Sequence, residues 1–267
     1  LQDYDRQLAE LSQQRKERLQ KLHKVEEDYA RLNQEEIIIN NNLLSIKQMK
    51  ENLSGYSAAV KSLIKAGTSG KLHGILGIPG EFIDVPEGLE LAVEVAVGKG
   101  LENVVTDTVE HARQAIDFLK DNKLGRVTFL PLDLLKVKPV ADKLVQQVHS
   151  INGVVGLGSR VVEFDARFKL AVEYLLGRVL IVRDLPTAIY VYKQFNYSFR
   201  IVSLEGDLVN VSGAVSGGGK PTAHNSPLMR RGEEKRLLIK QKENNQAKNS
   251  IQKKLIAMRD EIQVIEN

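Results

Sequence analysis

Among its 267 residues the chain has no cysteine and no tryptophan. Without cysteine there is no disulfide scaffold, no thiolate zinc site and no cysteine nucleophile, and a reducing, cytoplasmic setting is expected. Aromatic residues make up only 5%, which is thin for a compact enzyme but ordinary for a chain with long helical arms. No apolar run approaches a membrane span. The longest, such as Leu89–Val97, contains Glu, so no membrane partner is expected. A basic, apolar, small-residue leader is also lacking. Proline and glycine are both missing from residues 1–54, so nothing there breaks a helix.

What fills that stretch is a seven-residue pattern. Leu1, Tyr4, Leu8, Leu11, Leu22, Val25, Tyr29, Leu32, Ile39, Leu43, Ile46 and Leu53 share one a/d register, broken by Arg15, Arg18, Glu36 and Lys50. A sustained 3.5-residue apolar seam flanked by charge predicts a coiled coil, a rod of roughly 80 Å at helical rise. Leu237, Ile251, Leu255, Met258, Ile262 and Ile265 form a second, weaker seam, with polar Gln241, Asn244 and Lys248 at its middle positions. If the segment between returns its ends close together, the two arms pair antiparallel within the chain. Both ends lie inside helical patterns, so the chain is expected to be a stretch of something longer. The boundaries read as an N-terminal arm over 1–53, a globular centre over 54–227 and a C-terminal arm over 228–267.

The centre contains an internal repeat. Leu91-Ala-Val-Glu-x-x-x-Gly98 recurs as Leu170-Ala-Val-Glu-x-x-x-Gly177, and Val105-Thr-Asp107 with Ala112 as Val182-Arg-Asp184 with Ala188. Arg126-Val-Thr-Phe-Leu130 is echoed by Arg200-Ile-Val-Ser-Leu204. The offset drifts from about 79 to about 74 positions, as small loop deletions produce. Each copy predicts a helix ending at a glycine (Glu90–Val97, Lys169–Leu176), a β-branched strand (Asn103–Thr106, Val179–Val182), a capped helix and a closing strand. Asp107 or Thr108 is the expected cap in one copy, and Asp184 followed by Pro186 in the other. The fold class is therefore mixed α/β: two related units, about 54–135 and 150–227, flanked by an antiparallel coiled coil.

The catalytic motifs fail on inspection. VSGAVSGGGKP at 211–221 has Ala214 where a P-loop needs glycine and Pro221 where it needs a hydroxyl. Ala214–Gly218 mimics a nucleophile elbow with no helix after it. Gly156-Leu-Gly158-Ser-Arg-Val161 is a broken dinucleotide fingerprint and reads as a turn between strands. The 5 histidines are scattered without metal-ligand spacing. No catalytic, cofactor or metal residue is expected. Glycine threaded through an apolar strand instead marks a close backbone approach. Gly70-Lys-Leu-His-Gly74-Ile-Leu-Gly77 is a second such strand, so pairing between protomers through two glycine-rich edges is predicted.

The combination of coiled-coil arms, Gly70-x-x-x-Gly74, Arg126-Val-Thr-Phe-Leu-Pro-Leu132, Gly206-Asp207 and GDLVNVSGAVSGG resembles the hinge of prokaryotic SMC (structural maintenance of chromosomes) proteins over essentially the whole chain. The resemblance implies a toroidal homodimer with strands of both protomers joined at two interfaces. Its paired glycines fall on Ser212-Gly213 and Gly217-Gly218, with Ser212 replacing a glycine. It also implies ATP- and magnesium-binding heads outside this chain, kleisin-type subunits on those heads, and a place on the nucleoid. The lysine cluster that several relatives carry after the second pair is reduced here to Lys220.

Charge adds a nucleic-acid expectation. The net charge is +4, and residues 228–267 carry about all of that excess. Lys220, Arg230, Arg231, Lys235 and Arg236, with Lys61 and Lys65 on the helix after the other arm, are predicted to contact DNA backbone without reading sequence. Two other readings stay open: a coiled-coil scaffold with a protein-binding centre and no DNA role, and a small-molecule α/β enzyme with helical extensions. Salt-dependent DNA binding discriminates the first, nucleotide thermal-shift screening the second.

Overall fold

The computed structural model describes residues 2–195, 198–218 and 226–266. They divide into two compact units, one of residues 2–49 with 234–266 and the other of the described residues within 50–233.

The first unit is made by two long helices, α1 (Gln2–Glu51) and α10 (Pro227–Glu266). Ile39, Leu43, Ile46 and Leu237 pack together. Contacts between the helices run in opposite directions along them. Gln241 donates to Asn40 at 2.7 Å, Arg259 to Glu26 at 2.8 Å, and Arg18 pairs with Glu261. The antiparallel coiled coil therefore forms within one chain, on the register the heptads predict. Tyr4 and Leu11, although on that register, are 75% and 47% exposed.

The second unit holds two sheets. After α2 (Ala58–Thr68), β1 (Ile75–Gly77), β2 (Val104–Thr106) and β3 (Phe129–Pro131) form the first in that order. β1 is antiparallel to β2, and β2 parallel to β3. The short α3 (Pro79–Phe82) and α4 (Glu90–Val97) join β1 to β2, and α5 (Val109–Asp121) crosses from β2 to β3. The second sheet repeats this. After α6 (Asp142–His149), β4 (Val154–Leu157) is antiparallel to β5 (Val179–Val182), which is parallel to β6 (Arg200–Ser203). α7 (Gly158–Val161), α8 (Lys169–Leu176) and α9 (Leu185–Gln194) take the places of α3, α4 and α5. A hairpin of β7 (Leu208–Val209) and β8 (Val215–Ser216) extends this sheet only.

Strands β2 and β5, each paired on both sides, are buried at every residue, which explains why their apolar runs do not alternate with polar residues. Thr108 accepts from the His111 amide to cap α5, and Asp184 accepts from the Thr187 amide at 2.9 Å to cap α9. Each first strand carries a bulge at a positive-φ glycine, Gly77 in β1 and Gly156 in β4. Gly156 thus lies inside a strand and not in a turn between strands; a side chain there would meet Val161 at 2.8 Å. The extra residue is Leu76 in one copy and Val155 in the other, and the glycine after each takes up the change in backbone direction without strain. Gly98 ends α4 at φ 53°, whereas Gly177 ends α8 at φ −65°, so the two end-glycines differ in conformation.

Three apolar clusters hold the unit. Two lie on the outer sides: Val60 and Leu63 of α2 with Ala115 and Leu119 of α5, and Val145 and Val148 of α6 with Ala188 and Val191 of α9. The third joins the copies, with Val93, Ala96 and Val97 of α4 against Val172 and Leu176 of α8. Phe82 stacks on Phe168 with ring centroids 3.9 Å apart. Asp84 and Glu163 exchange both backbone hydrogen bonds at 2.8 Å. These two residues are about one repeat offset apart, so the copies meet through equivalent backbone positions.

Candidate interface strands and basic residues

β8 is an outer strand of its sheet, and residues 211–218 are all exposed. Val209 pairs with Val215, and the turn between them is closed by Asn210 and Ala214 and by Gly213 and Asn210, each bond 2.8 Å. Val211 and Val215 point two β-branched side chains outward, Val215 at 53% exposure. A strand edge offers unpaired amides and carbonyls to another backbone, and exposed valines beside it add apolar area to any such pairing.

The glycines serve different ends. Gly213 and Gly218 have φ of 87° and 100°. A side chain at Gly213 would meet the Tyr192 hydroxyl at 2.8 Å, and one at Gly217 would run into the Asp207 carboxylate. Ser212 sits exposed in the turn. In the first copy, strand β1 begins only at Ile75; residues 70–74 form a bend, not the longer strand expected from their spacing. A side chain at Gly70 would meet nothing within 4 Å. At Gly74 (φ 68°) it would collide with the His111 imidazole, whose Nδ1 lies 3.0 Å from Thr108 Oγ1. The close neighbour of Gly74 is therefore a side chain of its own chain.

The basic residues separate too. Arg230 is 6% exposed and its guanidinium donates to the Ser54 carbonyl at 2.5 Å. Burial lowers its pKa, opposed by Tyr56 and Glu94. Arg231 makes a two-pronged pair with Asp84, at 2.6 and 2.9 Å, and also donates to the Glu81 carbonyl. The two arginines thus tie the start of α10 to neighbouring segments of the second unit, a role that charge counting does not reveal. Around them burial pushes up the Glu94 carboxyl, which accepts from Ser226, and the Glu81 carboxyl, eased by Lys50 and Arg231. Burial also raises the Tyr56 hydroxyl. Lys61 and Lys65 stand one turn apart on α2, the first half-buried and the second exposed. Lys235 is exposed and Arg236 half-buried in the helical unit. Lys220 lies outside the described residues. Among the described residues no group of three or more His, Asp or Glu could hold a metal ion, and no helix is long and apolar enough to cross a membrane.

Two related α/β units, a one-sided strand hairpin and an antiparallel coiled coil define a hinge-type module on helical arms. Residues 72–191 match the family profile of the SMC proteins Flexible Hinge Domain. The chain is similar to the Chromosome partition protein Smc of Halothermothrix orenii (38% identity, 68% of this chain) and of Bacillus subtilis (36%, 69%). It spans only 15% of the length of each of these proteins. An asymmetric dimer of the Geobacillus stearothermophilus SMC hinge domain has the same fold, with TM-score 0.86 and 32% identity, over 95% of this chain and 100% of that one. The chain belongs to the SMC hinge family.

Proposed function

We propose that this chain is the homodimerisation hinge of a chromosome-partitioning SMC protein, and that it contributes to chromosome condensation and segregation on the nucleoid. ATP hydrolysis and attachment of kleisin-type subunits belong to head domains outside this sequence. The observation that carries the reading is the exposed β8 edge with its outward valines, in a fold that a hinge from Geobacillus stearothermophilus adopts as a dimer. Each added ladder hydrogen bond contributes roughly 1 kcal/mol, and valine burial adds to it. Val215→Glu places a charge on that edge without entering the core. In light scattering the wild-type chain has the mass of a dimer and this variant that of a folded monomer. A monomeric wild type, or an intact variant dimer, overturns the reading.

The finer part of the proposal is weak binding to DNA backbone. Arg230 and Arg231 are occupied inside the chain, so the reading is tested at Lys61 and the exposed Lys65 on α2. Affinity falls steeply with salt. Lys61→Glu with Lys65→Glu reduces both affinity and salt slope if the phosphates lie there. Unchanged binding curves remove these lysines from the contact.

A further inference from the structure

A pocket of about 540 Å³ opens in the second unit between the segment after β3, helix α8 and strand β6. Lys136 and Lys138 line one wall and Arg178 and Arg200 the other, with Glu173 the one carboxylate. The dimerisation and DNA readings above use none of these charged side chains, although Val211 beside the β8 edge also lines the pocket. Lys136, Lys138 and Arg178 are exposed and have no hydrogen-bond or ion-pair partner among the described residues. Arg200 is half-buried and held by the Ala96 carbonyl at 2.9 Å, while its Nε is fully buried and lacks a hydrogen-bond partner. Four cations against one carboxylate leave an excess of positive charge around one concavity, which favours an anion. The floor is different in kind: Val137, Leu175 and the buried Val179 make it apolar, and the half-exposed Tyr174 ring stands beside it.

We infer that this pocket binds a nucleotide, with its phosphates among Lys136, Lys138 and Arg178 and its base against Tyr174 and the apolar floor. The charge excess calls for more than one negative charge, and guanidinium forks suit phosphate oxygens. An apolar floor with an aromatic wall suits the flat face of a base, and the volume lies in the range of small-ligand sites. A free nucleotide and a nucleotide within a single strand present the same chemistry, and competition separates them. The site is independent of the lysines on α2.

The experiment titrates the intact chain calorimetrically with tripolyphosphate, with adenosine triphosphate and with a short single-stranded oligonucleotide. The triphosphate binds about tenfold more tightly than tripolyphosphate, as one stacked base provides. Lys136→Glu with Lys138→Glu weakens it by about tenfold or more, whereas the paired Lys→Arg changes retain it. Tyr174→Ala removes the advantage over tripolyphosphate. These positions are exposed, and an unchanged melting temperature shows that each variant folds. If the oligonucleotide displaces the triphosphate at lower concentration, the source is a strand; if it fails to displace it, the source is a free nucleotide. Lys61→Glu with Lys65→Glu leaves triphosphate binding intact, so failure of the DNA reading and failure of this one are distinct results. The proposal is overturned if tripolyphosphate binds as well as the triphosphate, if neither binds, or if the Lys136/Lys138 charge reversal has no effect.

Discussion

Glu36 and Lys248 form an ion pair across the coiled coil, their side chains only 29% and 18% exposed. Each interrupts the apolar seam of its own helix, so two apparent defects in the heptads are one contact. Lys248 also lies 5.7 Å from the Tyr29 ring. Beside the pair, Asn244 is 6% exposed and donates to the Leu32 carbonyl at 3.2 Å and to Glu35 at 3.4 Å, while its Oδ1 has no partner. A buried polar patch of this kind specifies register at a cost in stability.

It follows that Asn244→Leu stabilises the arms by about 1 kcal/mol but loosens their register. Thermal melting measures the first effect, and cysteine crosslinking between engineered positions on α1 and α10 the second. A destabilised variant with a unique crosslink contradicts this. Lys248→Leu alone lowers the melting temperature by leaving Glu36 partly buried without its partner, and adding Glu36→Leu restores it.

Gly74 and Gly70 look alike in sequence and differ in surroundings. Gly74→Ala combines a positive φ with a collision against His111 and loses about 1–3 kcal/mol. Gly70→Ala, with φ 76° and open space around it, loses about 1 kcal/mol. Denaturant unfolding of the two variants, with His111→Ala added to the first as partial rescue, tests the difference.

Arg231→Gln should cost about 1–3 kcal/mol, since it leaves Asp84 partly buried without its two-pronged partner. Its effect on DNA affinity should be small, because that guanidinium is engaged within the chain. A stable variant with strongly reduced DNA binding reverses this assignment.

Two carboxylates give opposite pH signatures. Thr187, through its hydroxyl and amide, and then Arg183 hold the Asp184 carboxyl down at about 2. Its contribution is present above the ordinary carboxylate range near 4 and is lost as pH falls through about 2. Asp184→Ala removes that acid dependence together with the α9 cap. Glu94 is pushed up by burial, so it opposes folding increasingly as pH rises from the ordinary carboxylate range through its raised value. Glu94→Gln keeps a partner for Ser226 and should be more stable than wild type at neutral pH, with a flatter profile there. Denaturant midpoints between pH 2 and 7 read both.

Much of this architecture is legible along the chain, because it depends on local rules. The heptads of α1 and α10, the helices Glu90–Val97 and Lys169–Leu176, the strand Val179–Val182 and the caps at Thr108 and Asp184 each follow from residues within a turn or two of one another. The repeat is visible because both copies solve one packing problem with the same residues. What depends on distant partners is hidden until the chain folds. Nothing near Gly74 announces that His111 will occupy the space beside it, and nothing near Arg230 and Arg231 announces Ser54 and Asp84. Basic residues in a row read as a surface patch because a sequence records charge and not desolvation. Glu36 and Lys248 read as errors in two seams because register between two helices is set only when both are present. The pocket around Lys136, Lys138, Arg178 and Arg200 draws on segments separated by as much as two strands (β4, β5) and four α-helices (α6 to α9), so only the tertiary structure brings its charges to one place.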